Sequence, residues 1–467
     1  MSRRIARGAV AACAGAMTPS VSVSVSASSS SAAAARWRGW RGPATGTAAG
    51  LQSCRELTST TGAATAHPSS STSSSSLSSG YAFATAMSRA PALEDAVAEA
   101  VAECRRRLPR DASATWVQLF VSGDAYGDDD VRQAGAKVRA LFGSSPALIG
   151  GVVRACVGGE GQTTEGVSIT AASMPGAHAT TFRATVGALP ALDARTWTTL
   201  AKSSANGDTV GAVVLAEASF SDVDDVLQRL HVVMPNSVVL GGVVDQGCVM
   251  FVDDDAYTEG AVGMLLRGDF ELDTHIAHGA RPVGPVMSLT HAQGGAVLEL
   301  DDSPAHPLLL ETLEALPEQS KSMPVMLGIG AHGAEAGGPF ICRDILSVGE
   351  SGGVEVASVE LEEGAPVQLH VRDAAWATEQ AKEVLKRCVT SAKIEDLSSE
   401  NSVGALIFAC GHTNRMHASN FREHLPNVPL GGAYVRGEFG PLVAGGASSV
   451  LSHTSTIGIF RKRANAG

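Results

Sequence analysis

Three stretches of this chain repeat one pattern of buried and polar positions. "ATWVQLFVS" reads as an apolar strand, "DDDVRQAGAKVRALF" as an amphipathic helix, and "PALIGGVV" as a second apolar strand ending in paired glycines. "GAVVLAE", "SDVDDVLQRLHVV" and "VVLGGVV" follow the same order, as do "GALIFACG", "HASNFREHL" and "VPLGGAYV". The landmarks run from Phe120 to Gly150, from Leu215 to Gly241 and from Phe408 to Gly431. Each Gly-Gly strand leads through a glycine-containing turn to a further β-rich run: "VSITAAS", "AVGMLL" and "TSTIGIF". One such echo is chance; three imply an architectural repeat.

Outside the repeats, "LEDAVAEAVAECRRRL" sets Val97, Val101, Cys104 and Leu108 on one helical face. The middle of the chain reads as extended segments: "PVMSLTHAQGGAVLELD", "PFICRDILSV", "GGVEVASVEL" and "PVQLHVRD". Two further helices are expected, "SPAHPLLLETLEAL" and "DAAWATEQAKEVLKRCV", the latter with Ala377, Ala381, Val384, Leu385 and Cys388 on one face. The class is α/β. Its sheets are mixed, because several strands are too close in sequence for helical crossovers.

Charge changes the picture at the N-terminus. Residues 1–87 hold seven arginines, no lysine and one acid, leaving 28 basic and 46 acidic residues elsewhere of the chain's 35 and 47. An Arg-rich, Ser-rich, acid-poor leader of this kind reads as a transit peptide for a mitochondrion or a plastid. It cannot bury enough apolar surface to fold alone. Met87 offers a start for a shorter, cytosolic form. The expected layout is a leader at 1–87, a helix at 88–113, and two domains or halves at 114–292 and 293–463. The acidic remainder argues against nucleic acid as a partner. Apolar runs such as "VGALIFAC" are too short to span a membrane. The eight cysteines form no CxxC pair, and no metal or cofactor is expected from their spacing.

Several motifs together resemble the FIST family: "ALIGGVVRACVGGEG", "VSITAASMPGA", "MSLTHAQGGAVLELDDSPA", "ICRDIL", "EEGAPVQLHVRDA", "GALIFAC", "VPLGGAYVRGEFGP" and "LSHTSTIGIF". They fall in the family's order over residues 114–460. "ACGHTNRM" keeps Cys410 but departs from the family's Gly-Arg-Gly turn, and no F-box precedes residue 114. The resemblance implies a small-molecule sensing domain, with amino acids among its ligands, and no catalytic mechanism.

The candidate site lies around "VPLGGAYVRGEFGP". Gly431 and Gly432 allow close backbone approach. Glu438, after Gly437, could take a ligand amine, while Arg415 or Arg436 grips a carboxylate through a guanidinium fork; pinning its own turn is the competing role for Glu438. Cys410 has His412 and His417 nearby, but a buried, inert thiol is the expected state. His453 is expected to bond toward the Glu438 turn or to satisfy backbone. Arg343 and Asp373 read as ion-pair residues between strands. Two further functions stay open: a substrate-presenting interaction module like the F-box relatives of ubiquitin ligases, and a thiol-dependent enzyme using Cys410. The expected partners are a small polar metabolite and a further, unidentified protein.

Overall fold

The computed structural model describes residues 80–463 except 124, 144, 159–160, 188–208, 331–338, 350–351, 358–360, 395–401, 411–416 and 444. The first repeat comprises β1 (Ala82–Ser88), α1 (Leu93–Arg107), β2 (Trp116–Ser122), α2 (Asp128–Arg132), α3 (Ala134–Phe142) and β3 (Ala147–Val153). A hairpin of β4 (Ala155–Gly158) and β5 (Gly161–Thr163) follows, then β6 (Val167–Ser173). The second comprises β7 (His178–Ala184), β8 (Thr209–Glu217), α4 (Val223–Val233), β9 (Val238–Val244), the hairpin β10 (Met250–Val252) and β11 (Asp255–Tyr257), and β12 (Ala261–Arg267).

The third repeat opens with β13 (Phe270–His278) and is then interrupted. The interruption holds β14 (Ala280–Gln293), β15 (Ala296–Leu300), β16 (Ser303–Pro304), α5 (Ala305–Glu314) and α6 (Glu318–Lys321). It continues through β17 (Val325–Gly330), β18 (Phe340–Val348), β19 (Val354–Val356) and β20 (Pro366–Arg372). The repeat resumes with α7 (Ala374–Ile394), β21 (Ser402–Cys410), α8 (His417–His424) and β22 (Leu430–Val435). The hairpin β23 (Gly437–Pro441) and β24 (Ser448–Leu451) precedes the last strand, β25 (Thr454–Lys462).

Each repeat contributes a parallel pair, β2–β3, β8–β9 or β21–β22, joined through helix as parallel neighbours require. The β-rich run after it, β6, β12 or β25, returns antiparallel beside the first strand. The hairpins do something the sequence pattern does not announce. Strand β4 pairs with β22 of the third repeat, β10 with β3 of the first, and β23 with β9 of the second. Every repeat therefore lends its hairpin to another, and the exchange closes in a cycle. Three six-stranded sheets of one topology result.

Their inner faces share a core in which Phe120, Leu215 and Phe408 are equivalent by register. The outer faces are covered by helices: α1 and α7 bury the predicted Val97, Val101, Cys104 and Leu385, Cys388, and α4 buries Leu227 and Leu230. The predicted "DDDVRQAGAKVRALF" helix breaks at Gln133 (φ −92°, ψ −6°) into α2 and α3.

The interruption forms a seven-stranded sheet that closes on itself through the β14–β15 pairing, a small barrel around Leu289, Val297, Leu327, Val367 and Leu369. The boundary expected between residues 292 and 293 falls within β14, inside this barrel. The leader range needs correction at its end. Residues Ala82–Ser88 form β1, paired along its whole length with β6, and Phe83 packs against Trp116 and Phe460. Small uncharged residues without alternation hid that strand in a Ser/Ala-rich context.

Candidate functional site

Register fixes which glycines matter. The carbonyl oxygens of Leu119, Val214 and Ile407 each lie under 2 Å from where a Cβ on Gly150, Gly241 or Gly432 would sit. Gly432 (φ +137°), not Gly431, is therefore the counterpart of Gly150 and of Gly241 (φ +136°). A side chain on Gly431 would instead meet the Thr170 hydroxyl at 1.8 Å. Both glycines read from the sequence are occupied by the protein's own neighbours: their first duty is strand packing.

Four residues after each of these glycines comes a charged residue, where the chain crosses toward its lent hairpin: Arg154, Asp245 and Arg436. The three crossovers meet. The Arg154 N–H donates to the Tyr434 carbonyl (3.3 Å) and the Arg436 N–H to the Val243 carbonyl (2.8 Å). The Arg154 fork grips Asp245 with both arms, at 2.7 and 2.8 Å, and this guanidinium holds the Asp245 carboxyl below its usual range. Arg436 reaches the same carboxylate only at 3.6 Å, with 59% of its side chain exposed.

Beyond the crossovers, the hairpins place Cys156, Met250 and Glu438 at equivalent inward positions, opposite Ala433, Gly151 and Gly242. Glu438 is completely buried. Its Oε2 accepts the Thr454 hydroxyl at 2.7 Å, while among the described residues Oε1 meets no hydrogen-bond partner. Desolvation pushes its pKa up to about 8, against the opposing pull of the Thr454 hydroxyl and the Arg343 charge. Arg343 comes from β18 of the barrel, is itself buried, and donates to the Val450 carbonyl at 2.8 Å. Next to it, Asp344 meets His453 Nε2 at 3.1 Å. His453 holds φ +58°, and its carbonyl accepts the Gly279 N–H at 2.6 Å, where the chain leaves for the barrel.

The predicted residues are thus partly gathered. The Cys410 thiol donates to the Arg436 carbonyl at 3.8 Å, bringing Cys410, Arg436, Gly437 and Glu438 to one end of the third repeat. His453 bonds to Asp344 of the barrel, where the sequence offered the Glu438 turn or backbone. Among the described residues, Arg343 is the charge whose field opposes the rise of the Glu438 pKa, and Asp373 pairs with Arg281 (3.0 Å). Arg415, His412 and the side chain of His417 lie outside what the structure describes. Sequence reasoning missed Arg154 and Asp245, although the spacing from each register glycine could have found them. Among the described residues no cluster of His, Cys, Asp and Glu has the shape of a metal site, and no helix is long and apolar enough to cross a membrane.

An uncharacterized protein of Mycobacterium tuberculosis (strain ATCC 25618 / H37Rv) is 29% identical over 252 residues, covering 50% of this chain and 63% of its own. An uncharacterized protein of Mycobacterium bovis (strain ATCC BAA-935 / AF2122/97) is 31% identical over 246 residues, covering 49% and 61%. The chain therefore spans under two thirds of these relatives' length. The FIST N domain matches residues 115–303 and the FIST C domain residues 305–441. With both segments matched in order over most of the described structure, this chain belongs to the FIST family.

Proposed function

We propose that the protein senses a small polar metabolite, with amino acids the leading class, at the end of the third repeat where Glu438 and Arg436 lie. The ligand amine takes Glu438 Oε1, and its carboxylate turns toward Arg436. The observation that carries this reading is a fully buried carboxyl with one oxygen that meets no hydrogen-bond partner among the described residues, where the equivalent repeats place Cys156 and Met250. A carboxyl raised to about 8 is protonated at neutral pH in the free protein. An ammonium group beside it favours the ionised form, so binding releases a proton. Arg343 and Asp344 belong to the barrel, which makes the barrel the element that feels the change and passes it to a protein partner. The leader delivers the protein to a mitochondrion or plastid, a reading checked by imaging a fusion with and without residues 1–79.

The test is a thermal-shift screen of the full chain against amino acids and related metabolites. Ligand at about 100 times Kd adds roughly 2.7 kcal/mol, a readily measured shift. Glu438→Gln should abolish a selective shift without lowering the unliganded midpoint. A panel with no shift at all would turn the reading toward a protein-interaction module.

A further inference from the structure

The crossover triad has a charge count that the fold alone does not require. Among the described residues, two guanidiniums, Arg154 and Arg436, converge on one carboxylate, Asp245. Arg154 satisfies that carboxylate with paired short bonds. Arg436 is left over: its contact is long and its fork faces solvent, with five donors of which the pair uses at most a fraction. This surplus charge sits where the three repeats cross, beside the carboxyl end of the parallel strand β21 through the Cys410–Arg436 contact. In open α/β sheets, crevices beyond strand carboxyl ends, where connections diverge, are where small ligands bind.

We infer that Asp245 competes internally for an anion-binding fork, and that the carboxylate of an incoming metabolite takes Arg436 while Arg154 keeps Asp245. Binding one monoanion brings the cluster to two positive and two negative charges. The side chain that changes partner is Arg436. Arg154 is the positioning residue that prevents Asp245 from following. The ligand class is a small carboxylate, because a planar fork matches a planar carboxylate in two parallel bonds. The inference extends the sensor reading, since it supplies the second half of an amino-acid site, but its residues and its test are separate from Glu438.

The experiment uses acetate, methylammonium and inorganic phosphate as probes, titrated calorimetrically or by NMR into the full chain and its variants. Acetate should bind about tenfold more tightly to Asp245→Asn, where the internal competitor loses its charge, and should fail to saturate Arg436→Gln. Both side chains are partly exposed, so both variants should fold, and an unchanged unfolding midpoint checks this. Glu438→Gln should leave acetate binding intact. Acetate affinities equal within about twofold across the wild type, Asp245→Asn and Arg436→Gln would overturn the inference. So would phosphate binding without acetate binding. Methylammonium binding that is lost in Glu438→Gln, with acetate indifferent to Asp245 and Arg436, would leave the sensor reading standing and remove this one. The reverse pattern would keep the anion site and remove the role of Glu438.

Discussion

In the first repeat, Ser122, Cys156 and Gly166 meet at the end of the parallel pair, with the Ser122 hydroxyl 3.5 Å from the Cys156 sulfur. In the third, extending the register by one residue puts Cys410, Glu438 and Thr454 in the same three places. The first set is neutral and small. Burial pushes the Cys156 thiol, neutral already at its ordinary pKa, up to about 12. The second set buries a carboxyl with one oxygen that has no partner among the described residues, an arrangement that costs folding free energy unless something else compensates. Because the backbone is shared, the difference lies in the side chains and in the barrel that only the third repeat carries. Symmetry thus serves as an internal control: the first repeat shows what the fold needs there, and Glu438 exceeds it.

The severest way to break this comparison is to attack the backbone it rests on. Gly432→Ala would force a Cβ against the Ile407 carbonyl at φ +137°, and Gly150→Ala and Gly241→Ala would do the same to Leu119 and Val214. Each should cost on the order of 4 kcal/mol or more, read as a collapse of the denaturation midpoint or loss of folded protein. A tolerated Gly432→Ala beside an unfolded Gly150→Ala would end the claim that the third repeat is equivalent. Gly431→Ala should fail through Thr170 instead, and Thr170→Ser would ease it only in part.

Next in size is the carboxyl itself. Its pKa rises from 4.5 in the unfolded chain to about 8 in the folded one, so the folded state binds more protons between those values. Stability should fall as pH rises from about 4.5 to about 8, by an amount on the order of 3 to 5 kcal/mol. Glu438→Met, which copies Met250, should remove that slope and leave the protein more stable than wild type at pH 8. A wild type with no greater loss than Glu438→Met across this window would show that Glu438 is satisfied after all. His278, at the junction of β13 with the barrel, carries the opposite sign. Burial lowers its pKa from 6.5 to about 4, with the neighbouring His370 adding to the effect. The unfolded chain then binds more protons, and stability should fall as pH drops from about 6.5 to about 4, by roughly 3 kcal/mol. His278→Gln should flatten this acid limb in urea titrations, while leaving the alkaline slope of Glu438 in place.

The repeats were legible because each buries a strand on both faces and so writes an unbroken apolar run. Helix stripes were legible for the same reason: Ala377, Ala381, Val384, Leu385 and Cys388 are all buried along α7. The hairpin exchange was not. Pairing partners are chosen by long-range contacts, and "ACVG", "MFV" and "GEFGP" carry no mark of the sheet they join. A one-residue slip in the third copy followed from the glycine pair itself, since a dipeptide does not say which glycine faces a carbonyl. Glu438 stood out because an acid amid apolar residues and glycines is conspicuous. Arg343 was visible only as an ion-pair residue, since its approach to Glu438 depends on how the barrel folds back onto β24.

The smallest expected effect separates two arginines that the repeats make equivalent. Arg154 and Arg436 follow their glycines at the same distance and share Asp245, one with paired bonds at 2.7 and 2.8 Å, the other at 3.6 Å from an exposed position. Arg154→Gln should cost about 1 to 2 kcal/mol, because a half-buried fork is lost and Asp245 is left without its partner. Arg436→Gln should cost less than about 0.5 kcal/mol, as an exposed, long pair is screened by solvent. Urea denaturation of both variants and of each combined with Asp245→Asn gives the coupling of each arginine to the carboxylate. Repeating it at about 1 M salt should erase the Arg436 coupling while sparing most of that of Arg154. Equal couplings would make Arg436 a structural member of the crossover, bound to Asp245 and unable to turn to a ligand; unequal ones leave it the free hand of the pair.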